Sequence, residues 1–174
     1  MKKYIQIGKQ ITYLLRHNPE DLTMDKHGYV STSSLLDKVG ITQQELDHIV
    51  DTNNKKRFMF DKTCEKIRAT QGHSINVDVQ LKMTRPPRTL YHGTNSDSFE
   101  KIKKSGGLDK MNRLHVHLSG DKDTAYDVGK RYSKYKEPII LEIDSARMYS
   151  DGFKFYKSEN GVWLIDYIPL KYIK

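Results

Sequence analysis

Arginine and histidine adjoin in the string Leu14-Leu15-Arg16-His17-Asn18-Pro19, at the end of an apolar stretch. The planar guanidinium of an arginine matches a phosphate, and a histidine adds charge or carries a proton. A cation at the C-terminal end of a helix is also an ordinary partner of the helix dipole. Arg16 and His17 are therefore a candidate phosphate site, with dipole complementation as the structural alternative.

A third basic candidate is Arg68, which precedes the turn-forming string Gly72-His73-Ser74. If this segment is a strand, Ile67 and Ala69 face one side and Arg68 faces the other. An arginine at the end of a strand, beside a sharp turn, suits an anion site. The alternative is a solvent-facing arginine on a hairpin.

Two further strings place histidines on predicted strands. In Tyr91-His92-Gly93-Thr94 a glycine lets the backbone approach a ligand and a threonine adds a hydroxyl, which together suit a ribose and a planar amide. A strand-to-loop corner with a satisfied histidine is the alternative. In Arg113-Leu114-His115-Val116-His117-Leu118-Ser119, alternation places Arg113, His115 and His117 on one face.

These candidates together lack an obvious nucleophile. Two histidines on a strand could ligate a metal, but no carboxylate or thiol lies at a matching local spacing, so we expect no metal site. A set of arginines and histidines suits the binding and transfer of a phosphate, where positioning and charge neutralisation do most of the catalysis.

The first half of the chain must position Arg16, His17 and Arg68, and its pattern is mostly helical. Apolar spacing predicts a helix over about residues 3–16 and a second over residues 33–39 that ends at Gly40. The string Thr42-Gln43-Gln44-Glu45 is a capping box that begins a third helix. Two strands follow, at residues 58–60 and 66–69. Three helices and a hairpin form the order of a winged helix.

A short stiff segment, Lys82-Met83-Thr84-Arg85-Pro86-Pro87-Arg88, predicts a linker and a domain boundary between residues 84 and 85. Beyond it we expect strands at residues 90–92, 114–118, 139–143, 153–156 and 162–168, with helices at about 98–105 and 122–131. With so few helices, a mixed or antiparallel sheet is expected rather than a doubly wound one. The predicted fold class is α+β.

Composition narrows the class of protein. The 174 residues include 30 Lys and Arg against 22 Asp and Glu, a net charge of +8, which is compatible with a polyanionic partner. A single cysteine, Cys64, excludes an internal disulfide and favours a reducing, cytoplasmic setting. The apolar runs are too short to span a membrane. We expect a monomer, because the sequence contains neither a coiled-coil repeat nor an exposed apolar stripe.

Beyond these single motifs, the chain resembles the RNA 2′-phosphotransferases of the tRNA-splicing type, which have bacterial members. The resemblance extends from about Leu14 to Tyr172 and is carried by ordered strings. They include the Arg16-His17, Arg68, Tyr91-His92-Gly93-Thr94 and Arg113–Ser119 segments already described, together with Asp25–Val30, Asn54-Lys55-Lys56-Arg57-Phe58 and Asn160-Gly161-Val162-Trp163-Leu164.

The resemblance implies two lobes, a winged-helix RNA-binding lobe over residues 1–84 and an NAD-binding lobe with an ADP-ribosyltransferase-like fold over residues 85–174. It also implies the reaction. The internal 2′-phosphate of an RNA is ADP-ribosylated with release of nicotinamide, and a transesterification then yields a free 2′-hydroxyl and ADP-ribose 1″,2″-cyclic phosphate. NAD is the implied cofactor, RNA bearing a 2′-phosphate the implied partner, and no metal is required.

The family's catalytic residues match Arg16, His17, Arg68 and Arg113 in this sequence. Its NAD-binding motifs match two strings, His92-Gly93-Thr94 and His117-Leu118-Ser119. Protein-modifying relatives of this fold commonly carry a late catalytic glutamate, and Val162 stands in that place here. An ionised phosphate nucleophile has less need of a general base.

Two other functions remain open at this point. The chain could be an ADP-ribosyltransferase that caps terminal phosphates of nucleic acid, stopping after the first step. It could also be a non-enzymatic winged-helix module that binds RNA. The mass of the products separates an enzyme that caps phosphates from a 2′-phosphotransferase. A measurement of NAD binding separates the enzymes from a module that only binds RNA.

Overall fold

The computed structural model describes residues 2–133 and 137–174. The chain divides into an N-terminal unit that ends at Gln80 and a C-terminal unit that begins at Leu81. The division falls four residues before the boundary predicted between residues 84 and 85.

The N-terminal unit alternates helices with short strands. In chain order its elements are α1 (Lys2–Arg16), β1 (Val30–Ser31), α2 (Thr32–Val39), α3 (Gln43–Asp51), β2 (Phe58–Phe60) and β3 (Lys66–Ala69). The strands form an antiparallel sheet of order β1-β3-β2. The three helices and the hairpin were predicted from the sequence and are confirmed, while β1 was not predicted because it contains only two residues.

Local signals in the sequence set the helix boundaries. Gly40 closes α2 with a φ of 70°, in the left-handed region, and its N–H donates to the Leu36 carbonyl. The predicted capping box opens α3, since the Glu45 N–H donates to the Thr42 hydroxyl at 3.3 Å. In return the Thr42 N–H donates to the Glu45 carboxylate at 3.1 Å. The helices then pack a shared apolar core that includes Ile11, Leu15, Leu35, Leu46 and Ile67.

The C-terminal unit contains more strands than helices. Its elements are β4 (Lys82–Met83), β5 (Leu90–Thr94), α4 (Ser96–Ser105), β6 (Gly107–Asp109), β7 (Val116–Leu118), α5 (Lys122–Lys130), β8 (Ile139–Ile143), α6 (Ser145–Ser150), β9 (Tyr156–Lys157), β10 (Trp163–Ile165), β11 (Tyr167–Pro169) and a 3₁₀ helix (Leu170–Tyr172). In the described residues each pair of adjacent strands is antiparallel, in the sheets β4-β9-β10-β7, β11-β6 and β5-β8. The predicted α+β class is confirmed.

Several predictions for this half of the chain were wrong in detail. The segment predicted as a linker contains β4, which pairs with β9, and the Thr84 N–H donates to the Phe155 carbonyl at 2.8 Å. The single strand predicted over residues 162–168 is divided at the exposed Asp166 into β10 and β11, which belong to different sheets.

The core of the C-terminal unit gathers apolar side chains from most of its strands and from α4 and α6. Leu90, Leu141, Ile143, Met148, Phe155 and Ile168 are fully buried there. The strand predicted over residues 153–156 lies instead at Tyr156–Lys157, and Phe153 and Phe155, which pack into this core, precede it. None of the helices within the described ranges has the length and apolarity that a membrane span needs.

Candidate functional site

Three of the four predicted catalytic residues, Arg16, His17 and Arg68, lie in the N-terminal unit. The loop after β3 is tied to the end of α1 by two hydrogen bonds. The Ser74 N–H donates to the Arg16 carbonyl at 2.9 Å, and the Ser74 hydroxyl bonds to His17 Nδ1 at 2.9 Å. Because of this tie, the end of the helix and the end of the strand meet.

Gly72 allows this loop to approach Arg16 closely. Its φ of 88° lies in the left-handed region, and a Cβ at this position would lie 3.2 Å from Arg16 Nη1. A larger residue would be strained there and would also press on the guanidinium. The glycine of the Gly72-His73-Ser74 string therefore makes room for a predicted catalytic side chain.

Arg68 is buried, with 7 % of its surface exposed. Its neighbours Ile67 and Ala69 point into the apolar core, as the predicted alternation requires. Since its own side of the strand is covered as well, the alternative of a solvent-facing arginine is excluded. Arg68 Nη1 donates to the His27 carbonyl at 3.2 Å, and the guanidinium carbon lies 4.7 Å from the centre of the Tyr29 ring.

Within residues 2–133 and 137–174, the positive charge of Arg68 is not offset by a carboxylate. Among the described residues, none of the Asp or Glu side chains forms an ion pair with it. Its Nε atom is buried and makes no hydrogen bond within the described part of the chain. Burying an unpaired charge is expensive, so this geometry is typical of a site that receives an anion.

His73 completes the group, although it was not among the predicted site residues. It is almost fully buried, and burial lowers the pKa of its imidazole to about 4, with Arg16, Arg68 and His17 acting in the same direction. His73 is therefore neutral at pH 7. Its position in the Gly72-His73-Ser74 string was the available signal. We refer to Arg16, His17, Arg68 and His73 as the Arg–His cluster.

In the C-terminal unit, the predicted cofactor residues meet where β5 lies beside the end of β7. Tyr91 and Ser119 exchange backbone hydrogen bonds of 2.9 and 2.8 Å, which bring the two histidine-bearing strings together. His92 Nδ1 lies 3.0 Å from the His117 carbonyl oxygen. A carbonyl only accepts, so Nδ1 carries the proton and Nε2 is left as an acceptor.

Burial lowers the pKa of His92. The hydrogen bond to the His117 carbonyl raises this pKa, whereas Arg113 lowers it further. The net result is a neutral imidazole with a fixed tautomer. It can accept a hydrogen bond from a hydroxyl, which is the chemistry predicted for His92 from the sequence.

Gly93 has a structural reason for lacking a side chain. A Cβ on Gly93 would lie 1.8 Å from the Ala125 carbonyl oxygen and 2.7 Å from the Gly129 nitrogen, so α5 occupies that space. The predicted approach of a ligand to this glycine is therefore not needed to explain it. Thr94, which follows it at the end of β5, is buried, with 6 % of its surface exposed.

Two details of the string Arg113–Ser119 differ from the prediction. The strand is shorter, since Arg113 and His115 precede β7, and Arg113 is exposed. His115 lies 5.9 Å from the Tyr156 ring and 3.9 Å from an Asp166 carboxylate oxygen. The Leu118 side chain belongs to the apolar core, so only its backbone could contact a cofactor.

A metal centre finds no support in the described ranges, where no three His, Cys, Asp or Glu side chains are grouped so that they could hold an ion. The side chains of the two groups offer different chemistry. The Arg–His cluster can bind and neutralise an anion through guanidinium donors. The group around His92 can hold a neutral hydroxylated ligand.

Comparison with known proteins agrees with an anion-transfer site. Residues 2–167 match the family model described as RNA 2′-phosphotransferase, Tpt1 / KptA family. A probable RNA 2′-phosphotransferase of Fusobacterium nucleatum is 47% identical over 182 residues, covering 100% of this chain and 99% of that protein. One of Flavobacterium johnsoniae is 46% identical, covering 97% and 94% respectively. The chain belongs to the RNA 2′-phosphotransferase family.

Proposed function

We propose that this protein is an NAD-dependent RNA 2′-phosphotransferase that removes an internal 2′-phosphate from RNA. Membership in the family supports the reaction class and the RNA substrate. The observation that carries the proposal is the buried guanidinium of Arg68, which has no carboxylate partner among the described residues and lies in a cluster with Arg16 and His17. A phosphate monoester carries a charge of about −1.5 to −2 at pH 7, which suits such a cluster.

Within this proposal, Arg16 and Arg68 bind the non-bridging oxygens of the 2′-phosphate and neutralise its charge during transfer. The hydrogen bond from Ser74 orients the His17 ring, so that His17 positions the phosphate and assists the transesterification. Arg113 is assigned a catalytic role on the basis of the sequence motif. His73 stays neutral and donates or accepts a hydrogen bond without adding to the positive charge.

The residues around His92 fit NAD. The fixed tautomer of His92 presents an acceptor at Nε2, which suits a ribose hydroxyl. Thr94 and Ser119 add hydroxyl groups, and the backbone of His117 and Leu118 completes the proposed site. When bound, NAD would supply the ribose carbon that the 2′-phosphate oxygen attacks as the bond to nicotinamide breaks. It would also supply the neighbouring ribose hydroxyl, which would then attack the phosphorus and release the 2′-hydroxyl of the RNA.

The element order of each unit supports the proposed lobes. In the N-terminal unit a short strand, two helices and a hairpin follow α1, an order that supports a winged-helix RNA-binding lobe. In the C-terminal unit the small antiparallel sheets support an ADP-ribosyltransferase-like NAD lobe. We further propose that the protein acts as a cytoplasmic monomer, and that a role in tRNA splicing would depend on the RNA available.

The test is a single incubation of the purified protein with NAD and a short RNA that carries one internal 2′-phosphate, without added metal, followed by mass analysis. The expected products are RNA with a free 2′-hydroxyl, nicotinamide and ADP-ribose 1″,2″-cyclic phosphate. A stable ADP-ribosylated RNA would instead identify an enzyme that caps phosphates. Unchanged RNA and unchanged NAD would contradict the proposal and leave a module that binds RNA.

A further inference from the structure

A groove of about 880 Å³ runs along the N-terminal unit between α1 and α3 and ends at His17 of the Arg–His cluster. Its walls include Lys9 and Tyr13 on α1, His48 on α3, and Asn53 and Arg57 on the chain that joins α3 to β2. The proposed RNA-binding lobe does not by itself specify which of its surfaces contacts the nucleotides beside the 2′-phosphate. We propose that it binds the nucleotides of the RNA on one side of the 2′-phosphate, an inference that rests on the proposed function.

The charge of the groove favours a polyanion. Its lining residues include lysine, arginine and histidine but no aspartate or glutamate. In the described ranges Lys9 and Arg57 form no ion pair with a carboxylate. Both cations are therefore available to phosphates of an RNA backbone.

Arg57 is held in place for such a role. The guanidinium of Arg57 is half-buried, and burial lowers its pKa. This direction is expected for a cation that no acid among the described residues offsets. Arg57 Nη1 donates to the Asn53 side-chain oxygen at 3.3 Å. That oxygen also accepts from the Lys55 N–H at 3.2 Å, so the turn after α3 orients the arginine. A guanidinium oriented by a neutral amide keeps its charge for a ligand.

The groove also offers an aromatic platform beside the cluster. Tyr13 is 52 % exposed, although it is a large side chain one turn before His17, and its ring centre lies 6.1 Å from that of His17. An exposed aromatic face next to a phosphate site suits the stacking of an RNA base. Tyr4 is less available, because its ring packs against His48 at 4.8 Å.

The spacing of two residues along the groove gives the number of nucleotides between them. Lys9 lies on α1, and His17 directly follows its last residue, eight residues further along the chain, or about 12 Å at 1.5 Å per residue. That distance accommodates about two to three nucleotides of a single strand. The groove therefore contacts neighbours of the modified nucleotide and not a distant part of the RNA.

The experiment measures RNA binding by fluorescence anisotropy without NAD, so that it does not depend on turnover. The probes are a dinucleotide with one 2′-phosphate and two longer RNAs that extend it by three nucleotides on either the 5′ or the 3′ side. One extension is expected to bind wild-type protein about tenfold more tightly than the dinucleotide. Lys9→Gln and Tyr13→Ala should each remove most of this gain while leaving the affinity for the dinucleotide unchanged.

Lys101→Gln is the matched control, because Lys101 is also an exposed helical lysine and lies on α4. The Lys101→Gln variant should retain the full gain in affinity that the extended RNA provides. The dependence of RNA affinity on salt is a second measurement, which a purely structural role of Lys9 would not alter. Each lost phosphate contact lowers the slope of log affinity against log salt by about 0.7. Lys9→Gln should lower it, and Lys101→Gln should not.

Equal binding of all three RNAs by wild-type protein would overturn the inference, as would a gain that survives in both groove variants. If the protein removes the 2′-phosphate but shows either of these results, the groove proposal fails and the proposed function stands. If the gain is lost in the variants but no 2′-phosphate is removed, the groove is supported and the proposed function fails.

Discussion

The two units prepare their candidate sites in opposite ways. In the N-terminal unit, Arg68 is a buried charge that no carboxylate of the described residues neutralises. In the C-terminal unit, His92 is kept neutral and its tautomer is fixed by the His117 carbonyl. The buried charge of Arg68 lowers the stability of the protein until an anion binds. The hydrogen bond that fixes His92 is already made within the protein.

This difference matches the ligands proposed for each unit. A phosphate is charged, so a site for it gains most from cations that are oriented beforehand and shielded from water. A ribose is neutral, so a site for it needs hydrogen bonds of defined direction. The following variants test whether each site depends on the property that distinguishes it.

The largest effect is expected for Arg68→Met, which keeps an apolar chain against the Tyr29 ring but removes the charge. We expect kcat/KM for 2′-phosphate removal to fall by at least about 100-fold, from loss of charge stabilisation. The melting temperature should stay the same or rise, because an unpaired buried charge is removed. Steady-state kinetics and thermal melts check both parts, and near-normal activity in this variant would contradict the assignment.

Gly93→Ala tests the scaffold of the C-terminal unit. The new methyl group would lie 1.8 Å from the Ala125 carbonyl oxygen, so β5 and α5 must separate. We expect a loss of about 3 kcal/mol, or about 6–12 °C in melting temperature. Gly120→Ala is the control, since a Cβ at Gly120 would lie 3.9 Å from the Trp163 ring nitrogen, an ordinary contact distance. Equal melting temperatures for the two variants would show that α5 does not need this glycine.

His92→Ala tests the neutral hydrogen-bonding site. Loss of one hydrogen bond to NAD should raise the KM for NAD about tenfold while leaving the KM for RNA nearly unchanged. His115→Ala is the matched control, because His115 lies beside Tyr156 and Asp166. If the two variants have the same KM for NAD, His92 does not contact the cofactor.

The smallest effect concerns His73 and pH. Its pKa is about 4 in the folded protein, below the ordinary histidine value of 6.5, so the unfolded chain binds the proton more readily between these values. Stability should therefore fall as the pH decreases through this window, by about 1 kcal/mol from pH 7 to 5.5. In the His73→Asn variant, the part of the pH dependence of stability that comes from His73 should be absent. Thermal melts of wild type and variant, run in parallel, separate the contribution of His73 from those of His92 and His115, whose lowered pKa values act in the same direction.

Much of the local structure could be predicted because its causes are local. Neighbouring residues in the chain determine that α2 ends at Gly40 and that α3 begins after Thr42. They also determine the alternation of side chains around Arg68. The missed elements depend on distant partners. Two-residue β4 exists because β9 pairs with it, and no pattern within Lys82-Met83 indicates this.

The candidate sites divide in the same manner. The types and order of residues in the sequence determined the family, the set of Arg and His candidates and the α+β class, because these are properties of strings along the chain. Only the tertiary structure decided that Arg68 is buried, that His73 joins Arg16 and Arg68, and that α5 accounts for Gly93. Desolvation and packing arise between segments far apart in sequence, so they exist only once those segments are brought together.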